Sequence, residues 1–233
     1  MRVLVTGGTG VVGGAVVREL ARRGHSVTFT CNQHVQAGHA LAEATGQHVR
    51  VVDLRSRGAI ARLAGEGAPD ALVHAAGVGH RTSLEDISAE AWHYVFAVNV
   101  EAPFLLCQAF APAWKERGAD APYPRVVLVG ALDRAQSLPL PVHFAASQGA
   151  LSALTMALAR ELGPRGVRVN MVALGPLGSG LSRILGEAEL RAYQTFSALR
   201  RLGTAEEAAR ALAWLVEEPG FLTGKVVPVN GGL

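Results

Sequence analysis

Lysine and tyrosine are scarce in this 233-residue chain. Of its 22 basic residues only Lys115 and Lys225 are lysines, and its 3 tyrosines are Tyr94, Tyr123 and Tyr193. Any chemistry that needs a Tyr–Lys pair must assemble it from those residues. The excess of arginine over lysine reads as codon bias in a GC-rich genome. Cysteine is equally sparse: Cys31 and Cys107 stand in apolar runs without metal-ligand spacing. That excludes a disulfide framework and fits buried thiols in a reducing compartment. Aromatic residues make up 6% and charged residues 18%, with a net charge of +3. The arginines are scattered from Arg2 to Arg210, so no basic stripe for nucleic acid is expected. No apolar run approaches the roughly 20 residues of a membrane span, so no membrane partner is expected either. Glycines at positions 7 and 8 interrupt the chain too early for a secretory leader. The expected location is the cytoplasm.

What is present is a hydrophobic share of 49% together with 27 glycines, enough to fill one sizeable core. Short β-branched runs fall at Arg2–Thr6, Ser26–Thr30, Val49–Val52, Ala71–His74, Arg125–Val129, Arg168–Ala173 and Val226–Val229. Their apolar residues are nearly continuous, the pattern of parallel strands covered on both faces. Helical stretches alternate with them at Gly13–Arg23, Val35–Thr45, Ser56–Gly65, Ala89–Arg117, Phe144–Leu162 and Ala205–Glu217. This alternation predicts an α/β fold: a single doubly wound, Rossmann-type parallel sheet of about seven strands with helices on both faces. Residues 1–233 read as one dinucleotide-binding domain. The segment 175–202, with Pro176, Gly178 and Gly180, reads as an insertion over one end of the sheet. Such excursions often form substrate lids, though a merely packed connection fits as well.

Thr6, Gly7, Gly8, Thr9, Gly10, Val11, Val12 and Gly13 follow the first strand and open the first helix. In that context the glycines read as a phosphate cradle. Gly7 makes the tight turn, Gly10 admits a pyrophosphate, and Gly13 lets the helix pack closely with its amides facing the anion. The end of the second strand then chooses the cofactor, an acidic residue binding the ribose hydroxyl and an arginine the 2′-phosphate. Here it carries Thr30, Cys31, Asn32, Gln33 and His34, neither acidic nor arginine. The missing carboxylate leans toward NADP over NAD, and a pocket that binds no cofactor fits the same residues. Asp53, followed by Leu54, reads either as an adenine contact or as a turn or helix-cap residue.

Over essentially its whole length the sequence resembles the short-chain dehydrogenase/reductase family, and within it the 3-oxoacyl-(acyl-carrier-protein) reductases. The glycine loop, Asp53-Leu54, His74 to Gly77, Asn99, Ala157–Glu161, Arg168–Ala173 and the ending from Leu222 to Gly232 carry the resemblance. Val11 departs from it, standing where that branch has its middle glycine, while Gly10 matches the extended members. The resemblance implies cofactor contacts at Gly7, Thr9, Gly10, Val12, Gly13, Asn32, Asp53, Leu54, Ala75, Ala76, Gly77 and Gly175. It also implies hydride transfer between a nicotinamide and a carbonyl. In such enzymes a tyrosine protonates the nascent alkoxide, and a lysine four residues later lowers its pKa and holds the ribose. A serine orients the carbonyl, and an asparagine in the fourth helix carries a water.

Laid on this sequence, the tyrosine position is Phe144, the lysine position Gln148 and the serine position Ala131; only Asn99 remains. Phe144 has no hydroxyl and Gln148 no cation. Loss of a transition-state donor costs roughly 10²–10³ in rate and loss of a general acid roughly 10²–10⁴. Of the flanking groups, His143 points about 100° from Phe144 on a helix and reads as a packing or capping residue. Ser147 reads as a helix-internal hydroxyl, Asp133 is ionised at neutral pH, and Ser137 flanks the same gap. His74 and His80 read as loop residues near the adenosine side. No metal-ligand cluster appears.

Two functions lead, with a third behind them. One is an inactive or impaired subunit, in a homo- or hetero-oligomer with an active reductase paralogue. It would pair through helices at Ala89–Arg117 and Phe144–Leu162, the latter offering Ala150, Leu151, Ala153, Leu154, Ala157 and Leu158. The other is an atypical NAD(P)H-dependent ketoreductase acting on acyl-carrier-protein or CoA thioesters with a non-standard proton donor. A purely regulatory role with the dinucleotide as signal is a third.

Overall fold

The computed structural model describes residues 1–117, 122–131, 139–217 and 220–233. Among them seven strands form one sheet: β1 (Arg2–Thr6), β2 (Ser26–Cys31), β3 (His48–Val51), β4 (Ala71–His74), β5 (Arg125–Gly130), β6 (Arg168–Leu174) and β7 (Val226–Val229). Their order is β3-β2-β1-β4-β5-β6-β7, and every pair is parallel. The helices are α1 (Val11–Arg22), α2 (Val35–Thr45), α3 (Arg57–Gly65), α4 (Ala89–Phe96), α5 (Ala102–Lys115), α6 (Val142–Leu162), α7 (Glu187–Phe196) and α8 (Ala205–Glu217).

The pleat explains the continuous apolar runs, because successive side chains enter different cores. Val3 and Val5 of β1, Val73 of β4 and Val172 of β6 pack with α1 and α8. Leu4, Leu72, Val126 and Met171, on the opposite face, pack with α3, α5 and α6. Strand order reverses between β1 and β4, so a crevice opens beyond their carboxyl ends, the usual ligand position in this architecture.

Most element ends lie within one or two residues of those predicted. The expected single helix Ala89–Arg117 is the exception. It is α4, a π-helical stretch Ala97–Glu101, and α5. Pro103 sits in the first turn of α5 and has no amide to close on the Asn99 carbonyl, which relieves the backbone of one α-helical bond at this point. Asn99 therefore sits in a π-turn rather than in a regular helix.

The expectation about apolar length also needs amendment. Ala89–Lys115 and Val142–Arg165 are long and apolar enough for a span by composition. Both lie against the sheet, where Leu106, Phe110 and Trp114 of α5 and Leu151 and Leu158 of α6 fill the core. The six small and apolar positions of α6 accordingly divide. Leu151 and Leu158 are buried, while Ala153 and Ala157 face solvent.

Candidate active site

The chain leaves β1 through a turn that only glycine fits. Gly7 has a φ of +68°, and a Cβ there would lie 2.6 Å from the Ala76 backbone. A Cβ on Gly13 would lie 2.1 Å from the Gly7 carbonyl oxygen. The close approach that Gly13 permits is thus to the loop itself. Gly10 N-caps α1 without a side-chain partner, and the first turn holds no acidic residue. The Gly14 N–H bonds to the Gly10 carbonyl at 2.8 Å, so the amides of Val11, Val12 and Gly13 precede the helical ladder and face outward. This is a cradle for a phosphate. Val11 is 39% exposed and lies against Gly180 of the segment opposite.

On one side of this cradle lies a pocket of ≈ 270 Å³ formed by Cys31 to His34, Asp53 to Arg55, and Tyr94. Asn32, Asp53 and Leu54 line it as expected. The Asp53 carboxylate accepts the Arg55 backbone N–H at 3.0 Å and its guanidinium at 2.7 Å. Those bonds hold Asp53 below its ordinary carboxylate range. Asp53 is thus a turn residue and a pocket residue together; Ser56 caps the next helix. The Arg55 guanidinium lies 5.4 Å from the Tyr94 ring centroid. Sequence reasoning missed Arg55, because its contact with Tyr94 joins two distant segments.

On the other side, a cleft of ≈ 470 Å³ runs to the end of β5. Thr9, Gly10, Val12, Gly13, Ala75, Ala76, Gly77, Asn99, Ala131, Phe144, Gln148 and Gly175 all line it, and no tyrosine or lysine does. Tyr94 is on the adjoining pocket, Tyr123 is 53% exposed beneath Arg168, and the Tyr193 hydroxyl donates to the Asn230 carbonyl. The segment 175–202 covers one wall through Gly175–Leu185. Phe144 is 2% exposed and packs with Ile184 and Leu185 of that segment.

The polar groups of this wall form a closed network. Gln148 Oε1 accepts the Ala131 N–H at 3.0 Å, and Gln148 Nε2 approaches Ser147 Oγ at 3.4 Å. Ser147 donates to the Phe144 carbonyl at 2.7 Å and accepts from Asn99 Nδ2 at 3.0 Å. Asn99 is doubly bonded to the Val78 backbone, Oδ1 accepting its N–H and Nδ2 donating to its carbonyl, both at 2.9 Å. Ser147, read from sequence as a helix-internal hydroxyl, is that and also the hub of this network.

Among the described residues the flanking histidines His74, His80 and His143 do not line the cleft. His143 is fully buried away from it, and among the described residues neither ring nitrogen has a hydrogen-bond partner. Its ring centroid is 5.6 Å from that of His80; burial, then His80, push its pKa down. His143 therefore packs rather than caps. His74 is not a loop residue, contrary to expectation, but the buried end of β4. Its Nδ1 meets Thr6 Oγ1 at 2.9 Å and its Nε2 the Val98 carbonyl at 3.2 Å. These bonds require Nε2 to carry the proton, and burial pushes the pKa down to about 4. Asp133 and Ser137 lie outside the described residues. Among the described residues no group of three or more metal-ligating side chains occurs.

Residues 9–233 match the family model described as Enoyl-(Acyl carrier protein) reductase. The chain is 30% identical over 233 residues to the cyclic-di-GMP-binding biofilm dispersal mediator protein of Escherichia coli, covering 98% of this chain and 95% of that one. It is 29% identical to the E. coli 3-oxoacyl-[acyl-carrier-protein] reductase FabG, covering 99% and 96%. Among solved structures, that of BdcA in complex with NADPH superposes with a TM-score of 0.88 at 29% identity, covering 99% of this chain and 93% of that one. With its parallel sheet, its glycine cradle and these relatives over nearly its full length, the chain belongs to the short-chain dehydrogenase/reductase family.

Proposed function

We propose that this chain is a nicotinamide-dinucleotide-binding member of its family that has lost catalysis. It serves as the inactive subunit of a cytoplasmic reductase whose active partner acts on 3-oxoacyl thioesters of acyl-carrier protein or CoA. The observation that carries this reading is the closed network around Gln148. The positions that hold a serine, a tyrosine and a lysine in active relatives are here Ala131, Phe144 and Gln148. Gln148 bonds to the Ala131 N–H and to Ser147, the Phe144 carbonyl accepts the Ser147 hydroxyl, and none of the three side chains is a proton donor of suitable pKa.

Dinucleotide binding is supported by the fit of the cradle. The glycine loop presents its amides at the mouth of both pockets, and a Cβ on Gly7 or Gly13 would collide with the Ala76 or Gly7 backbone and break the turn that aims them. The adenosine half would rest among Asn32, Asp53 and Leu54, and the nicotinamide half beside Gly77, Gly175 and Gln148. Such a cofactor supplies a hydride when bound. Arg55 is half-exposed on the adenosine side and supports the lean to NADP, a guanidinium suiting a phosphate. The E. coli relative named for binding cyclic-di-GMP supports the idea that binding, rather than turnover, sustains a role on this fold. Pairing is supported by exposed Phe104 of α5 and Met156 of α6.

A second reading, the atypical ketoreductase, draws on the open ≈ 470 Å³ cleft, which has not been filled by larger side chains. Water or a substrate group would then supply the proton. Calorimetric titration with NADPH, followed by an assay on acetoacetyl-CoA, decides between them. Binding without turnover supports the inactive subunit. Turnover at rates like those of active relatives overturns it, and absence of binding overturns the dinucleotide assignment.

A further inference from the structure

We infer that the neutral carboxamide of Gln148 makes the nicotinamide half of the site blind to oxidation state. The chain then holds oxidised and reduced dinucleotide alike and responds to the size of the pool rather than to its redox ratio. This rests on the proposal that the cleft takes a nicotinamide dinucleotide.

Placement follows from the topology. The pocket at the ends of β2 and β3 takes the adenosine half, and the α1 N-terminus takes the pyrophosphate. That leaves the nicotinamide half to the cleft at the ends of β4 and β5, bounded by α6. Among the described residues the walls there are uncharged: Ala131, Leu140, Phe144, Gln148 and Leu151. The ionisable residues among the described lining of the whole cleft are His34, which also lines the adenosine pocket, and Arg183. Arg183 is exposed, where water and salt screen it.

The two oxidation states differ by one positive charge on the nicotinamide ring. A fixed cation about 5 Å from that ring, at an effective dielectric of about 20–40, would bias binding against the oxidised form by more than about tenfold. Gln148 exerts no such bias. Its carboxamide is held in place, Oε1 engaged with the Ala131 N–H and Nε2 beside Ser147 Oγ at 3.4 Å.

The test is calorimetric titration of NADP⁺ and NADPH into the full chain and into Gln148→Lys, Gln148→Glu and Gln148→Met, each checked for folding by its thermal melt. The expected ratio of oxidised to reduced Kd lies within about fivefold of unity for the native chain and for Gln148→Met. Gln148→Lys should raise the ratio at least tenfold, and Gln148→Glu should lower it. Loss of packing alone would move both ligands together and leave the ratio unchanged. Should the lysine variant not fold, the Glu–Met comparison carries the same sign test. A native ratio beyond tenfold, or shifts of the same sign for lysine and glutamate, overturns the inference while leaving dinucleotide binding intact. No binding of either form to the native chain instead overturns the dinucleotide assignment beneath it.

Discussion

Gln148 and Ala131 are joined across the end of β5, the side-chain Oε1 of one accepting the backbone N–H of the other at 3.0 Å. The Gln148 side chain is thus a structural clamp on the Ala131 backbone. Gln148 is only 4% exposed, so loss of its acceptor would strand a backbone donor at the strand end. Gln148→Leu is expected to destabilise the chain by about 1–3 kcal/mol. An unchanged urea midpoint would show that the clamp contributes nothing.

Phe144 is a packing residue of the cleft wall, set against Ile184 and Leu185. It lies so close to Gly79 that a Cβ on the glycine would sit 2.7 Å from the ring. Gly79→Ala should cost about 1–3 kcal/mol through overpacking, and Phe144→Ala about 3–5 kcal/mol. In a double-mutant cycle the two penalties should not add, because the smaller residue at 144 makes room for the methyl. Strict additivity would contradict the contact.

His74 sets the acid limit of the fold. It is buried neutral, burial holding its pKa at about 4 against an ordinary 6.5. Below pH 6.5 the unfolded chain takes up a proton that the folded chain refuses, so stability falls as pH falls and levels off near pH 4. The loss across that window is about 3 kcal/mol. Buried His143, also shifted downward, adds to it in the same direction. Denaturation midpoints between pH 4 and 8 check the slope, and His74→Asn should flatten it.

Arg55 should govern discrimination at the ribose. Its guanidinium lines the adenosine pocket but shares its charge with Asp53. Arg55→Ala is expected to weaken NADPH binding by about tenfold and to affect NADH less. Equal weakening of both, measured by fluorescence titration, would assign Arg55 to the stacking on Tyr94 alone.

The sheet, both its helical layers and the phosphate loop are legible in the sequence because each rests on local pattern. Val3, Leu4 and Val5 show an apolar run, and a two-sided parallel strand is the simplest structure that buries all three. That Ala131, Phe144 and Gln148 carry no ionisable proton donor is legible for the same reason, since residue identity alone decides it. What was not legible depends on contacts between distant segments. The π-turn at Asn99 left its trace in Pro103, four residues on. Nothing local shows that His74 would lie between Thr6 and Val98, that Arg55 would cover Tyr94, or that Ser147 would join Asn99 to Gln148.

The most direct test restores the three lost groups. The native chain and the variant Ala131→Ser/Phe144→Tyr/Gln148→Lys are each assayed for NADPH-dependent reduction of acetoacetyl-CoA, with NADPH binding measured in parallel. The predicted result is that both bind NADPH, that the native chain turns over at least about 10³-fold more slowly than active relatives, and that only the variant gains appreciable turnover. Reduction by the native chain at rates like those of active relatives would contradict the account.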